Sequence, residues 1–264
     1  MRADCVNDNT GIGYNALGAF TGSNATAVGS GAADVATSAA YLTAIGKQAA
    51  GGLLTGAGNT AIGYQSLKFA DGAEARNVAL GAHAARFCDG TDDCIAIGYG
   101  ALSGSNWSYS DGDTANAAKP SGNNNIAIGS YSLDATTTGA KNVAIGHEAG
   151  SAIDDGVENV LIGHQAGLAM TDGHYNIAIG SFALDAANDG EHKNIAIGTN
   201  ALGSETSSAV GGVAIGYHAL EDQNRVESRN TAIGYQALTN LGSVSDGGVQ
   251  NTACLLYTSP SPRD

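Results

Sequence analysis

Two cysteines, Cys88 and Cys94, enclose the segment Asp89-Gly90-Thr91-Asp92-Asp93, which places two thiols and three carboxylates around one turn. Outside the cell, thiols this close could form a disulfide. If both stay reduced, Cys94 occupies a position that is asparagine in most copies of the repeat described below. Carboxylate oxygens are ligands that Ca²⁺ prefers, but the loop pattern D-x-[DN]-x-[DN]-G is absent, which favours a solvated turn.

Histidine and tyrosine recur at one position of the chain. His147 and His164 are 17 residues apart, and stacking at that period would place their imidazoles ~4.8 Å apart. Such a pair could bind a metal or form a threefold cluster in a trimer, although two stacked, exposed imidazoles are the favoured interpretation. The tyrosines at the same position suggest a surface stripe, which β-propensity explains equally well: Tyr14, Tyr64, Tyr99, Tyr217 and Tyr235.

An insertion carries the single tryptophan of the chain. Residues 103–124 exceed the spacing of the surrounding repeats and contain Trp107, Tyr109, Asp111 and Asp113. Loops on a rigid scaffold often carry recognition, and aromatic residues are favoured at binding hot spots. We therefore expect these four residues to form a recognition loop. The alternative is that the loop folds back to cover the scaffold.

The sequence lacks the motifs of common enzymes. It contains no phosphate-binding loop, no zinc-protease motif and no nucleophile elbow. The acidic residues fall in variable segments, so no acid–base pair stands out. The sequence therefore predicts no enzyme activity, no cofactor and no metal site.

The elements that position these residues come from an internal repeat. Its motif reads Asn-Thr-Ala-Ile-Gly-Tyr-Gln at 59–65 and again at 230–236. The motif glycines are 16 to 18 residues apart except for one step of 31, and they are Gly13, Gly29, Gly46, Gly63, Gly81, Gly98, Gly129, Gly146, Gly163, Gly180, Gly198, Gly216 and Gly234.

Two alternating columns of the motif predict a strand with unequal faces. The residue three before the glycine is always Thr, Val or Ile, and the residue between the two aliphatic positions is alanine in eleven copies. We expect the branched side chains to fill the core and the small Ala/Gly face to let another chain approach closely. The predicted core isoleucines are Ile62, Ile97, Ile128, Ile145, Ile162, Ile179, Ile197, Ile215 and Ile233.

The period and composition of the repeat favour an all-β fold. Branched residues and glycine in every copy oppose a helix, and helical arrays need longer periods. The sequence predicts a parallel β-solenoid (β-roll) of about 13–15 rungs with 16–18 residues per rung. Asparagine, found four residues before the glycine in nine copies, is expected at a turn, where it tolerates a left-handed backbone and stacked amides can bond to one another.

Composition limits the partners. The chain has 264 residues, a net charge of −14, 39 glycines and only 14% charged residues. The negative charge disfavours nucleic acid, and no apolar run approaches the ~18 residues of a membrane span. Neither partner is therefore expected for this fragment.

The predicted organisation follows the repeat. Residues 1–8 form a partial first rung, 9–102 and 125–253 form solenoid repeats, and 103–124 form the inserted loop. Residues 254–264 hold two of the three prolines and resemble the translation of a sequencing adapter. We expect them to be non-native read-through from an environmental fragment, with the natural gene continuing further.

The repeat resembles the head repeats of trimeric autotransporter adhesins. Asn-Val-Ala-Ile-Gly at 142–146 and Asn-Ile-Ala-Ile-Gly at 176–180 carry the resemblance, which is shared with repeats of phage tail-fibre proteins. The resemblance covers residues 9–253 and implies a left-handed parallel β-roll that forms a homotrimer. Adhesin heads commonly use shorter repeats, nearer fourteen residues, and no anchor, stalk or chaperone is present here.

These observations predict a structural or adhesive fibre segment, extracellular, on a bacterial surface or a virion. It would present loops to a host-cell surface protein or glycan. The alternative is a passive tail-fibre shaft whose receptor-binding, chaperone or enzymatic domain lies outside this fragment. Ice binding needs an outward threonine array and is disfavoured, because the threonine column is assigned to the core.

Overall fold

The computed structural model describes residues 2–4, 7–70, 72–104, 119–186, 190–204, 210–223, 229–241 and 250–254. These residues form one sheet of 15 strands and a separate pair of strands, and no described residue is helical. Fourteen strands of the large sheet run parallel and make a β-solenoid of about 12 turns. The predicted all-β parallel solenoid is therefore confirmed.

Most strands are three residues long and coincide with the motif, because alternating branched residues favour extended backbone. They are β1 Arg2–Asp4, β2 Asn9–Ile12, β3 Thr26–Val28, β4 Thr43–Ile45, β5 Thr60–Ile62, β6 Val78–Leu80, β7 Ile95–Ile97, β8 Ile126–Ile128, β9 Val143–Ile145, β10 Val160–Ile162, β11 Ile177–Ile179, β12 Ile195–Ile197, β13 Val213–Ile215, β14 Asp222–Gln223, β15 Thr231–Ile233, β16 Asn240–Leu241 and β17 Thr252–Cys254.

The strands stack in strict register. From β2 to β15, each motif position pairs with the same position of the next rung, so that Ala144 lies beside Leu161 and Ile145 beside Ile162. The register is kept even between β7 and β8, where Ile97 pairs with Ile128 across the 31-residue step. The longer step therefore does not displace the next strand.

The sidedness predicted for the strands is wrong. The alanine between the two aliphatic positions is buried, and Ala61, Ala144 and Ala232 have no exposed surface. The predicted core isoleucines face outward instead. They are partly exposed at Ile62, Ile97, Ile128, Ile145, Ile162, Ile197 and Ile215, and 36% and 40% exposed at Ile179 and Ile233. The Ala/Gly face cannot be the contact between chains, because it lines the interior of each coil.

The narrow coil explains this arrangement. Inside the coil, the buried alanines pack against a second set of buried residues, mainly leucine, four positions after the motif glycine, such as Leu133 and Leu184. One rung carries Leu161 in place of the alanine, and there the opposing positions are Gly150 and Gly167. A Cβ on either glycine would meet the Leu161 side chain within 3.0 Å. The two columns therefore share a fixed volume that isoleucine would overfill.

Left-handed residues close each rung. The second and fourth residues after the motif glycine have positive φ in all thirteen rungs, as in Gln65 (φ 54°) and Leu67 (φ 50°). The conformation directs their N–H groups in opposite directions along the axis. Gln65 N–H donates to Lys47 O of the preceding rung, and Leu67 N–H donates to Ala84 O of the following rung, both at 3.0 Å. These bonds offset the strain of a bulky residue in this region.

The asparagines form a buried ladder, and they do not occupy the left-handed turn position that the sequence predicted for them. The positive φ belongs to the preceding residue, for example Lys141 at 59° and Glu158 at 58°. Asn142 Oδ1 accepts the backbone N–H of Asn159 at 3.0 Å, and Asn142 Nδ2 donates to Gly156 O at 2.7 Å. The expectation that stacked amides bond to one another is confirmed, since Asn159 Nδ2 donates to Asn142 Oδ1 at 3.0 Å.

Each end of the large sheet carries one strand beyond the thirteen motif copies. Strand β1 pairs antiparallel with β2, with Ala3 opposite Thr10, so residues 2–4 are not a partial parallel rung. At the other end, Cys254 belongs to β17 and lies opposite Ile233. Residues 255–264 lie outside the described residues, as does most of the insertion, 105–118.

Candidate functional site

The outer face of the sheet is a continuous surface that follows the described solenoid from rung to rung. Two columns lie on it, the residues one and three before each motif glycine, and we call them the outer aliphatic face. The members of this face include Val143 and Ile145 on one rung and Val160 and Ile162 on the next. None of these side chains is fully buried, and Ile12, Ile45 and Leu80 are 45%, 38% and 41% exposed.

The face is a long, narrow strip without charge. Thirteen rungs at ~4.8 Å make it about 60 Å long, and ~7 Å separates the two columns, giving roughly 400 Å² between their centre lines. From Thr10 to Ile233 the columns contain only Thr, Val, Ile and Leu, so no charge interrupts them. This size matches the largest apolar patch of a typical monomer, about 300–600 Å², and such a patch is often functional.

An aromatic ladder follows the carboxyl ends of the strands. Seven rings on successive rungs contact one another with centroid distances of 5.0 to 6.3 Å, in the order Tyr64, His83, Tyr99, Tyr131, His147, His164 and Phe182. The stripe predicted from a single sequence column omits His83, Tyr131 and Phe182, which lie one position later. The sequence does contain a signal for these three rings. On each of their rungs, the residue directly after the motif glycine is not aromatic, and the aromatic residue follows it.

The predicted histidine stack is confirmed. The rings of His147 and His164 are 5.4 Å apart and nearly parallel, at 10°. Among the described residues, no three His, Cys, Asp or Glu side chains are arranged to hold a metal ion. Glu148 lies beside this stack, with its carboxylate 3.6 Å from His147 Nδ1.

A second histidine stack lies on another side of the coil. His174 and His192 are 4.9 Å apart with their rings at 5°. The Nδ1 atoms accept backbone N–H groups of the preceding rungs, from Val157 at 3.0 Å and from His174 at 3.1 Å. Burial and the positive charge of His174 lower the pKa of His192. In this arrangement Nδ1 of each ring acts as a hydrogen-bond acceptor and carries no proton.

The two cysteines are free thiols, so the structure holds them in the reduced alternative. Both are buried. Cys94 takes the place of asparagine in the ladder, because its N–H donates to Asn77 Oδ1 at 2.9 Å and its Sγ accepts the N–H of Asn125 at 3.4 Å. Burial raises the pKa of Cys94 to about 11 and that of Cys88 well above its ordinary value. A low thiolate fraction makes both thiols unreactive.

The three carboxylates of the same turn already have protein partners. Asp93 pairs with Arg76 through two bonds of 2.6 and 2.8 Å, and Asp89 accepts from Lys119 Nζ at 2.9 Å. Asp92 accepts the N–H of Ala75 at 2.8 Å. These pairings match the interpretation of the segment as a solvated turn.

The residues of the predicted recognition loop, Trp107, Tyr109, Asp111 and Asp113, lie outside the described residues. Nothing in the described part of the chain folds into a helix capable of spanning a bilayer.

Comparisons with known proteins do not assign the chain to a family. No family model matches it, and no curated protein and no solved structure matches it either.

Proposed function

We propose that this chain is a segment of an extracellular attachment fibre, on a bacterial surface or a virion, in which three copies associate through their outer aliphatic faces. The observation that supports the proposal is the uncharged, partly exposed double column of Val, Ile and Leu. Burying apolar surface stabilises by about 25 cal/mol per Å². Closure around a threefold axis would cover the same face on all three chains.

The fibre would work by stiffness and multivalency. A continuous parallel sheet holds loops at fixed positions, and three joined chains raise the avidity for a host-cell surface protein or glycan without any new contact. The alternative, a passive shaft, makes the same prediction for assembly but predicts no ligand binding by the solenoid itself.

Solution mass tests the assembly. Size-exclusion chromatography with light scattering should give three times the chain mass of 26.2 kDa. The double variant Ile145→Lys and Ile162→Lys should be a folded monomer. Both side chains point outward, and an unpaired charge is too costly to bury in an interface. The control is the double variant Thr138→Lys and Asp155→Lys, at two exposed turn positions. It should leave the trimer intact. A monomeric unsubstituted protein would refute the proposal.

Ice binding becomes a second candidate because the threonine column faces outward. Thr10, Thr26, Thr43 and Thr60 stack in register on the first four rungs of the outer face. Later rungs carry mostly Val and Ile at this position, which weakens the array. A trimer would cover the face, so thermal hysteresis by a monomer would favour this second candidate.

A further inference from the structure

A surface hollow of about 300 Å³ interrupts the solenoid on a side that the outer aliphatic face does not occupy. Its described lining residues are Phe182, Asp185, Asn200, Gly203, Ser204 and Glu221. The volume is at the lower end of the range for small-molecule sites, which suits a single sugar ring.

One column creates the hollow. The fifth residue after the motif glycine is Asp185, Gly203 and Glu221 on three successive rungs. Gly203 has no side chain, so space opens between the two carboxylates above and below it. Elsewhere the same column is filled: Asp134 is followed by Ser151, whose Oγ donates to Asp134 Oδ1 at 2.7 Å.

The hollow carries negative charge without a cation among its described lining residues. Burial raises the pKa of Asp185 to about 6, and the charge of Glu221 acts in the same direction. Glu221 contacts His218 Nδ1 outside the lining. Asn200 Oδ1 is buried and has no hydrogen-bond partner within the described structure. A pair of neighbouring carboxylates is satisfied by a donor that is positively charged.

The chain contains a balanced version of the same arrangement. In the same column, Asp34, Gly51 and Lys68 follow one another on three rungs, and Gly51 lies beside the Asp34 carboxylate. Burial raises the pKa of Asp34, and the positive charge of Lys68 opposes that rise. The Lys68 ammonium lies 4.5 Å from the centre of the Phe69 ring. At the Gly203 hollow, Glu221 replaces this lysine.

We infer that the hollow at Gly203 binds the protonated amino group of an amino sugar. The ammonium would lie between the two carboxylates, where Lys68 supplies the positive charge in the balanced arrangement. Phe182 offers an aromatic face to the cation and the sugar ring. Ser204 is exposed, and its hydroxyl both donates to and accepts from a ring hydroxyl. The choice of a sugar as the source of the amine rests on the proposed attachment function; the recognition of an amine does not.

Calorimetric titration of the full chain tests the inference. Methyl glucosaminide, which carries the amine, should bind at least about tenfold more tightly than methyl N-acetylglucosaminide, which does not. Equal affinities would overturn the inference. Nα-acetyl-lysine amide supplies the amine without a sugar and should bind more weakly than the glucosaminide. If it binds as tightly, the amino-sugar assignment is wrong.

Matched variants locate the site. Asp185→Asn and Glu221→Gln keep the side-chain shape and should each weaken glucosaminide binding about tenfold. Asp134→Asn, a control in the same column, should leave it unchanged. Retained binding in both hollow variants would overturn the inference. Light scattering on the same samples separates the two proposals, since a trimer that binds no amine contradicts only this one.

Discussion

Glycine recurs at one position of each rung because two constraints meet there. The φ angles of the motif glycines lie between 131° and 143°, a region that side-chain-bearing residues rarely adopt. A Cβ would also come closer than 3.0 Å to the carbonyl of the next motif glycine. Backbone conformation and rung spacing therefore both require the smallest residue.

Replacing Gly146 with alanine tests how these constraints combine. We expect Gly146→Ala to lower the free energy of unfolding by about 3 kcal/mol or more, since strain and clash act together. Gly90→Ala is the control, because Gly90 has a φ of 78° but no atom lies within 4 Å of the point that an added Cβ would occupy. It should cost about 1 kcal/mol. Equal losses in urea unfolding would show that the close approach is unimportant.

At this scale the sequence predicted the columns but not their sidedness. Alternation of Ile and Ala identifies two faces of a strand, and volume alone favours the larger residue inside. The coil is too narrow for that. The informative signal was Leu161, which stands where other rungs have alanine. Gly150 and Gly167 occupy the opposing positions, which are leucine in most rungs, so a larger residue in one column is matched by smaller residues in the other. One exception therefore revealed more about the interior than the regular copies.

At the scale of the element, the asparagine ladder connects rungs through the interior. A buried amide of the ladder satisfies a backbone N–H and a carbonyl that both belong to the following rung, as Asn159 does with Asn176 N–H at 2.9 Å and Gly173 O at 2.7 Å. A buried peptide group without a partner costs about 1–3 kcal/mol. The ladder therefore fixes both spacing and register.

Asn159→Ala should lower the free energy of unfolding by about 2–4 kcal/mol, because it leaves an N–H and a carbonyl unpaired. Asn159→Cys should cost less, since a thiol accepts the equivalent N–H at Cys94. Urea unfolding of both variants measures the difference. If the two variants lose the same free energy of unfolding, the side chains of this column do not stabilise the fold as hydrogen-bond acceptors.

The His174–His192 stack predicts acid sensitivity. Because the pKa of His192 is lowered in the folded state, its contribution to stability is complete above the unfolded value of 6.5. It is lost as pH falls from there through the folded pKa. Asp172 opposes this shift, and Lys193 adds to it. Protonating Nδ1 would also place a donor against the N–H of His174.

We therefore expect His192→Gln to reduce the fall in Tm between about pH 7.5 and pH 5, the range that spans the titration of a histidine. His147→Gln, which changes an exposed imidazole of the other stack, is the control and should retain the fall seen in the unsubstituted chain. Thermal melts followed by circular dichroism measure both. Parallel pH profiles for His192→Gln and the unsubstituted chain would contradict the prediction.

For the whole molecule, the sequence predicted rung order and register because the glycine anchor repeats without ambiguity. It did not predict the antiparallel strand Arg2–Asp4, since these residues carry no motif. The hollow at Gly203 was missed for another reason. It depends on three residues of one variable column, which only the stacking brings together. The rungs themselves contact only their neighbours along the axis, as expected of a solenoid.

Removing one complete rung tests this independence. Deleting residues 147–163 joins Gly146 to His164 and restores the repeat, so the shortened chain should fold with only a small decrease in Tm. Deleting residues 147–154 removes about half a rung and should prevent cooperative folding, because the next strand can no longer reach its register. Circular dichroism and thermal melts compare the two. Equal behaviour would contradict a modular rod.

Equivalent rungs also make the rod adjustable in the gene. The stretch Asn59–Gln65 is repeated without change at Asn230–Gln236, and both copies begin at the same point of the coil. Unequal crossing-over between such copies adds or removes whole coils and leaves the ends compatible. The length of the rod can thus evolve in increments of one coil, while every surviving junction remains a native one.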